Sequence, residues 1–302
     1  MKIFLVFLML PVLLLTGLTG CKSPELQQAA ASGGRFSIVT AIFPVYDFAR
    51  TAAGDSADIT LLIKPGRDIH SFDPSVTDIK TINNCDLFIY IGGKSDAWVQ
   101  KLISAGELNQ NQCLRLTDYV DMLEIPEHHR EYDEHIWTSP ANAKILIQAI
   151  AGNLPQTNPD LDIYMNELEE LDNTIRDIIS AAEHPEIIVA DRFALRYFAD
   201  YYGLSYISAL GACSGHGGAS PAAIVRIINH IRDSQLKSKE TKYIYYAELS
   251  DMNIARTIAE ETGVELLLLH SAQNVTQEEF TGGAAYLSIM RQNAENLRIG
   301  LN

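Results

Sequence analysis

The sequence predicts an α/β protein of two lobes, each built on a mainly parallel four-stranded sheet, with one long helix joining them. Three observations carry that prediction. Short apolar runs recur along the chain, helix-like stretches separate them, and one much longer amphipathic stretch interrupts the alternation near the middle. Short apolar runs bounded by turn signals are what strands buried on both faces of a parallel sheet look like. Strands alternating with helical patterns imply helices packed on both faces of such a sheet.

FSIVTAIF (residues 36–43), ADITLLIK (57–64), DLFIYIGG (86–93) and CLRLTDYV (113–120) read as the first four strands. VYDFARTAAG, SVTDIKTINN and DAWVQKLISAG read as the helices between them. The long stretch starts at Asn158-Pro159, with Asn as cap and Pro at the first helical position. Leu161, Tyr164, Leu168, Leu171, Ile175 and Ile178 then form an apolar seam at spacings of three and four. His184-Pro185 ends it, because proline cannot continue a helix. EIIVA (186–190), LSYISAL (204–210), YIYYAEL (243–249) and VELLLLH (264–270) supply four more strands. The expected lobes are therefore residues 36–155 and 185–302, with the linking helix at 156–184. A long rigid connector predicts a ligand cleft between the lobes and little closure of one lobe on the other.

The first twenty residues place the protein outside the cytoplasm. One lysine, an apolar run and then small residues before Cys21 form a secretory signal, too short to span a bilayer comfortably. LTGC has the form of a bacterial lipobox, which makes Cys21 the lipidated first residue of the mature chain and a membrane anchor. Residues 21–35, small and polar, read as its flexible tether. The formal net charge of −15 argues against a nucleic-acid partner and mildly favours cationic ligands. Besides Cys21 there are only Cys85, Cys113 and Cys213; no CxxC pair occurs, and a Cys85–Cys113 disulfide across neighbouring strands is left open.

Three histidines stand just past strand ends, where ligands gather in open α/β sheets. His70 lies in the loop after the second strand, His135 lies past the fourth, and His270 ends the last. Neutral imidazole suits zinc and other late divalent ions. No GxSxG, HExxH or phosphate-binding glycine loop accompanies them, so a binding protein is favoured over an enzyme. A zinc hydrolase with Glu248 as base is the weaker reading.

GRDIHSFDPS resembles the GxDPHxFEPxP segment of the zinc- and manganese-binding solute proteins of bacterial ABC importers, the cluster A-I family. DEHIWTSPANA resembles their HxWLDPxNA segment, ADRFALRYFADYYGL the segment of their third ligand, and GGAAYLSIMRQNAENL their terminal helix. The resemblance runs from about residue 36 to 297 and implies two lobes on a backbone helix, zinc (or manganese) as ligand, and a monomer that serves a membrane permease and its ATPase. It makes His70 and His135 the first two metal ligands and puts His270 where many members have an aspartate ligand. The family's third ligand falls on Arg192, which cannot ligate a cation. His216, in GACSGHGGAS, is the expected replacement, with Asp191, Glu248, Cys213 or water as alternatives. A metal-dependent adhesin is an alternative, and Arg192 raises the further reading of a member that has lost metal binding and takes another ligand or acts as an adhesin. Asp73 is expected either to hold a ligand histidine's second nitrogen or to cap the next helix. His128 and His129 read as a solvated loop.

Overall fold

A computed structural model describes residues 35–125, 131–211, 219–236 and 241–302. Cys21, His128, His129, Cys213 and His216 lie outside them. The first lobe runs β1 (Phe36–Thr40), α1 (Phe43–Ala53), β2 (Ala57–Leu61), α2 (Val76–Asn83), β3 (Leu87–Tyr90), α3 (Ala97–Ser104), β4 (Cys113–Arg115) and α4 (Pro140–Gly152). α5 (Leu161–Ala181) leads into β5 (Glu186–Phe193), α6 (Arg196–Tyr202), β6 (Ser205–Gly211), α7 (Pro221–Leu236), β7 (Tyr243–Tyr246), α8 (Asn253–Thr262), β8 (Glu265–Leu268), α9 (Gln277–Thr281) and α10 (Tyr286–Leu301). Both sheets are four-stranded and parallel, ordered β2-β1-β3-β4 and β6-β5-β7-β8.

Most apolar runs yield strands shorter than themselves. FSIVTAIF is a strand only to Thr40, because Pro44 at the start of α1 sets a helical φ and Phe43 is buried as helix. β5 is the exception: it continues through Asp191 and Arg192 to Phe193, with an irregularity between Val189 and Arg192 that re-aims the side chains there. Two expected helix starts differ. Asn158 does not cap α5; its Oδ1 accepts the Asp160 N–H in a turn, and the helix begins at Leu161. Asp73 does not cap α2, where Ser75 and Asp78 form a reciprocal capping box. The seam of α5 is buried from Leu168 to Ile178, with Leu161 and Tyr164 half-buried at its entry.

One apolar core spans both lobes. It joins Ile38, Phe48 and Phe88 of the first lobe to Ile175 of α5, Phe193 and Phe198 of the second, and Tyr286, Met290 and Leu297 of α10. α10 lies on α5 and also touches α1. Trp137, fully buried, sits at the junction: its indole N–H donates to the Ser271 carbonyl at 2.9 Å, and its own carbonyl accepts the Tyr286 hydroxyl at 2.8 Å. A smaller core of Ile188, Ile227, Ile231, Ile244 and Ile258 lies in the second lobe alone.

Cys85 and Cys113 are free thiols. Register explains why: Cys113 stands beside Phe88, and Cys85 precedes β3, giving its S–H to the Ile82 carbonyl. Burial pushes Cys85 up to about 12 and Cys113 up to about 11, so neither reacts readily as a thiolate. Among the described residues no helix is long and apolar enough to cross a membrane.

Candidate metal site

Four segments meet at the carboxyl ends of the two sheets. Residues 66–70 come from the first lobe, and 191–195, 247–250 and 271–274 from the second; they line a cleft of about 330 Å³. The lobes are strapped together at its edge. The Gly66 N–H donates to the Val275 carbonyl at 2.9 Å, and Asn274 Nδ2 donates to the Arg67 carbonyl at 2.6 Å. Gly66 has φ 75°, which glycine adopts without strain.

His70 and His135 are brought together, with ring centroids 5.8 Å apart. Each is held through Nδ1. His70 Nδ1 lies 2.8 Å from Ser95 Oγ and 3.3 Å from Glu134 Oε1. Ser95 gives its own hydroxyl proton to Glu134, at 2.6 Å, so Oγ accepts from the His70 Nδ1–H. His135 Nδ1 donates to Asp133 Oδ1 at 2.8 Å. A carboxylate behind each imidazole fixes the tautomer and turns Nε2 forward, the arrangement that raises a metal-binding histidine's basicity.

Both Nε2 atoms face one amide, that of Gln273: Oε1 is 3.1 Å from His135 Nε2 and the amide nitrogen 3.4 Å from His70 Nε2. The turn that delivers Gln273 puts Ala272 at φ 58°, a left-handed conformation that costs a non-glycine residue on the order of 1 kcal/mol. Burial works against a charge on His135, but Asp133, by hydrogen bond and charge, and Glu134 outweigh it and raise the imidazole. A metal ion at Nε2 competes with a proton for that nitrogen.

His270 is placed differently. It is buried, lies two residues past β8, and its backbone is clamped by Asn293 of α10, which accepts the His270 N–H at 2.9 Å and donates to its carbonyl at 2.7 Å. Its Nδ1 accepts the Ala272 N–H at 2.9 Å, so the ring proton sits on Nε2, which is buried without a partner. Coordination through Nε2 requires that N–H bond to break. The expected cage of three histidines is thus met by a pair, and among the described residues no three of His, Cys, Asp and Glu form a group that could hold an ion. Glu248 does not pair with Arg192; it accepts the Ser271 N–H at 2.8 Å and the Ser271 hydroxyl. Asp191 accepts the N–H of Arg192 at 2.8 Å.

Sequence reasoning missed Gln273, Asp133, Glu134 and Ser95. The carboxylates stand immediately before His135 in the DEH triplet, and Gln273 stands three residues past His270. Burial would raise Glu134, but the hydrogen bonds from His70 and Ser95 and the charge of His135 hold it down at about 2. Its ordinary value is 4.5, so its stabilising contribution is complete above that pH and is lost as pH falls toward 2. The gap is worth on the order of 3 kcal/mol. In urea melts of metal-free protein, Glu134→Gln is expected to be much less stable than wild type at pH 6, and the difference should shrink steadily toward pH 3. A constant difference would mean that Glu134 is not held ionised.

Gly93 is where this support is most easily broken. A Cβ there would collide with the Glu134 side chain, at Cβ and Oε2. Gly93→Ala is expected to swing Glu134 off Ser95 and His70 and to weaken metal binding by about 10–100-fold, the usual cost of losing a ligand's supporting partner. Gly152→Ala, where a Cβ meets open space and no collision follows, is the control for the added methyl alone.

Two parallel-sheet lobes on a long helix, with His70 lining the cleft between them and His135 buried beside it, have the architecture of a helix-linked solute-binding protein. The chain belongs to the family of the periplasmic component A of zinc-uptake complexes, whose model matches residues 38–300. The zinc-binding lipoprotein AdcA of Streptococcus pneumoniae is 28% identical over 287 residues, covering 88% of this chain and 56% of AdcA. This chain thus spans about half the length of that relative. The high-affinity zinc uptake system protein ZnuA of Bacillus subtilis is 26% identical over 293 residues, covering 90% of each chain. The Zn(II)-bound ZnuA-like domain of S. pneumoniae AdcA superposes with a TM-score of 0.74 at 27% identity, covering 89% of this chain and 99% of the domain. The metal-dependent lipoprotein YcdH of B. subtilis gives 0.76 at 26% identity, covering 89% and 100%.

Proposed function

We propose that this protein captures a divalent ion, zinc before manganese, as the substrate-binding component of an ABC-type importer and delivers it to a membrane permease driven by an ATPase. It acts as a binding protein and not an enzyme, held on the extracytoplasmic face of the membrane by a lipid on Cys21. The observation that carries this reading is the His70–His135 pair, with both Nδ1 atoms tied to carboxylate-backed partners and both Nε2 atoms turned to one point. Two imidazoles favour zinc over manganese. Of the other expected ligands, His270 has a buried, partnerless Nε2 and becomes a donor only after losing the Ala272 contact. His216 stays our candidate for a further ligand. The family membership and the zinc named for AdcA and ZnuA support the choice of ion. Calorimetric titration of chelator-stripped protein should give one zinc per chain. An absence of binding to wild type overturns the proposal.

A further inference from the structure

The cleft carries charge that ion capture by two histidines leaves unused. Arg67 and Arg192 both line it, beside His70 and Gln273. Neither guanidinium has a carboxylate oxygen within 4 Å among the described residues. The nearby carboxylates are engaged locally: Asp68 accepts the His70 N–H, Asp191 the Arg192 N–H, and Glu248 both donors of Ser271. Arg192 is set there by β5, whose irregularity after Val189 marks the stretch that reaches the cleft.

A guanidinium beside a divalent ion repels it unless an anion lies between them. The nitrogens of His70 and His135 by themselves leave a zinc ion short of its usual four ligands. A single small oxygen anion answers both needs, because one oxygen can enter the metal's shell while the others accept the planar N–H fork of arginine. The cleft of about 330 Å³ is within the size range of sites that enclose small organic molecules, and is larger than a bare ion requires. We propose that this protein takes its ion as a ternary complex, in which His70 and His135 bind the metal and Arg192, aided by Arg67, binds a small carboxylate or related oxygen anion that completes the metal's coordination. The proposal rests on the reading that the histidine pair holds a divalent ion. No electron is transferred; the anion adds as a ligand and displaces water.

Equilibrium dialysis of the metal-stripped full chain tests it, with free zinc buffered to the same level in every arm. [14C]Citrate stands for an organic carboxylate and [14C]bicarbonate for an inorganic oxyanion. One or the other label should be retained at about one per chain when zinc is present and not when it is absent, and which label it is identifies the source. Arg192→Gln should lower that retention at least tenfold. Arg192→His, which puts an imidazole where the guanidinium stands, should abolish retention and raise zinc affinity in anion-free buffer. The inference is overturned if zinc binds equally well with and without anion and neither label is retained, or if Arg192→Gln and Arg67→Gln both retain label like wild type. A chain that binds no zinc in any arm brings down the proposed function itself, a result distinct from zinc binding without anion.

Discussion

Replacing His135 by alanine is expected to weaken zinc binding by more than about 100-fold, beyond the upper range for loss of a supporting partner. The side chain is fully buried, and its Nε2 is one of the two atoms that converge on Gln273. His70→Ala should act similarly, although its ring is 23% exposed and water can reach the vacated position. Because Trp137 lies 5.3 Å from the His135 ring, its fluorescence reports ion binding independently of heat. The informative contrast is with His270→Ala. If His270 keeps its present hydrogen bond in the loaded protein, that variant should bind zinc within a few-fold of wild type. If the ring turns and ligates, the loss should match that of His135→Ala. Wild-type affinity in both His70→Ala and His135→Ala would remove the pair from the site.

The second large effect concerns the junction of the lobes. Trp137→Ala should destabilise the protein by about 3–5 kcal/mol, the range for deleting a buried aromatic side chain. The loss also strips the Ser271 carbonyl of its indole partner. For a chain of this size the melting temperature should fall by roughly 10 °C. Trp137→Phe keeps most of the volume and loses the one hydrogen bond, so about 1 kcal/mol is expected. A single cooperative transition in both variants is expected as well, since the core does not divide at the lobe boundary. Two separate transitions would show that the lobes are energetically independent.

Much of the fold was legible because strands buried on both faces leave few polar residues to confuse the pattern. The seam of α5, the eight runs and their grouping four and four all carried through to the structure. Strand ends were less legible. Phe43 and Leu269, near the ends of their runs, are buried in a helix start and a loop beyond the sheet and not within it. β5 ran the other way, because an irregular pairing carries polar Asp191 and Arg192 within the strand.

The site divides along similar lines. His70 and His135, expected from their place past strand ends, do come together. Asp133 and Glu134 drew no reading of their own as residues beside a site, yet the fold buries both and turns them to the histidines. Gln273 carries no ligand signature in its residue type. It reaches the histidines only because Ala272 takes a left-handed conformation that alanine does not advertise. His270, its neighbour three residues back, has the residue type of a ligand and is turned onto a backbone N–H instead.

The contact of α10 with α5 and α1 has a bearing on how the chain can be made. Asp47 of α1, buried, accepts the Tyr286 N–H at 2.8 Å, across 239 positions of sequence. The first lobe therefore lacks part of its own interior until residues 286–297 have left the ribosome. Contacts of such long range slow folding, because loop closure must come before they can form. A nascent chain that cannot complete its first half early stays longer without a finished native interior.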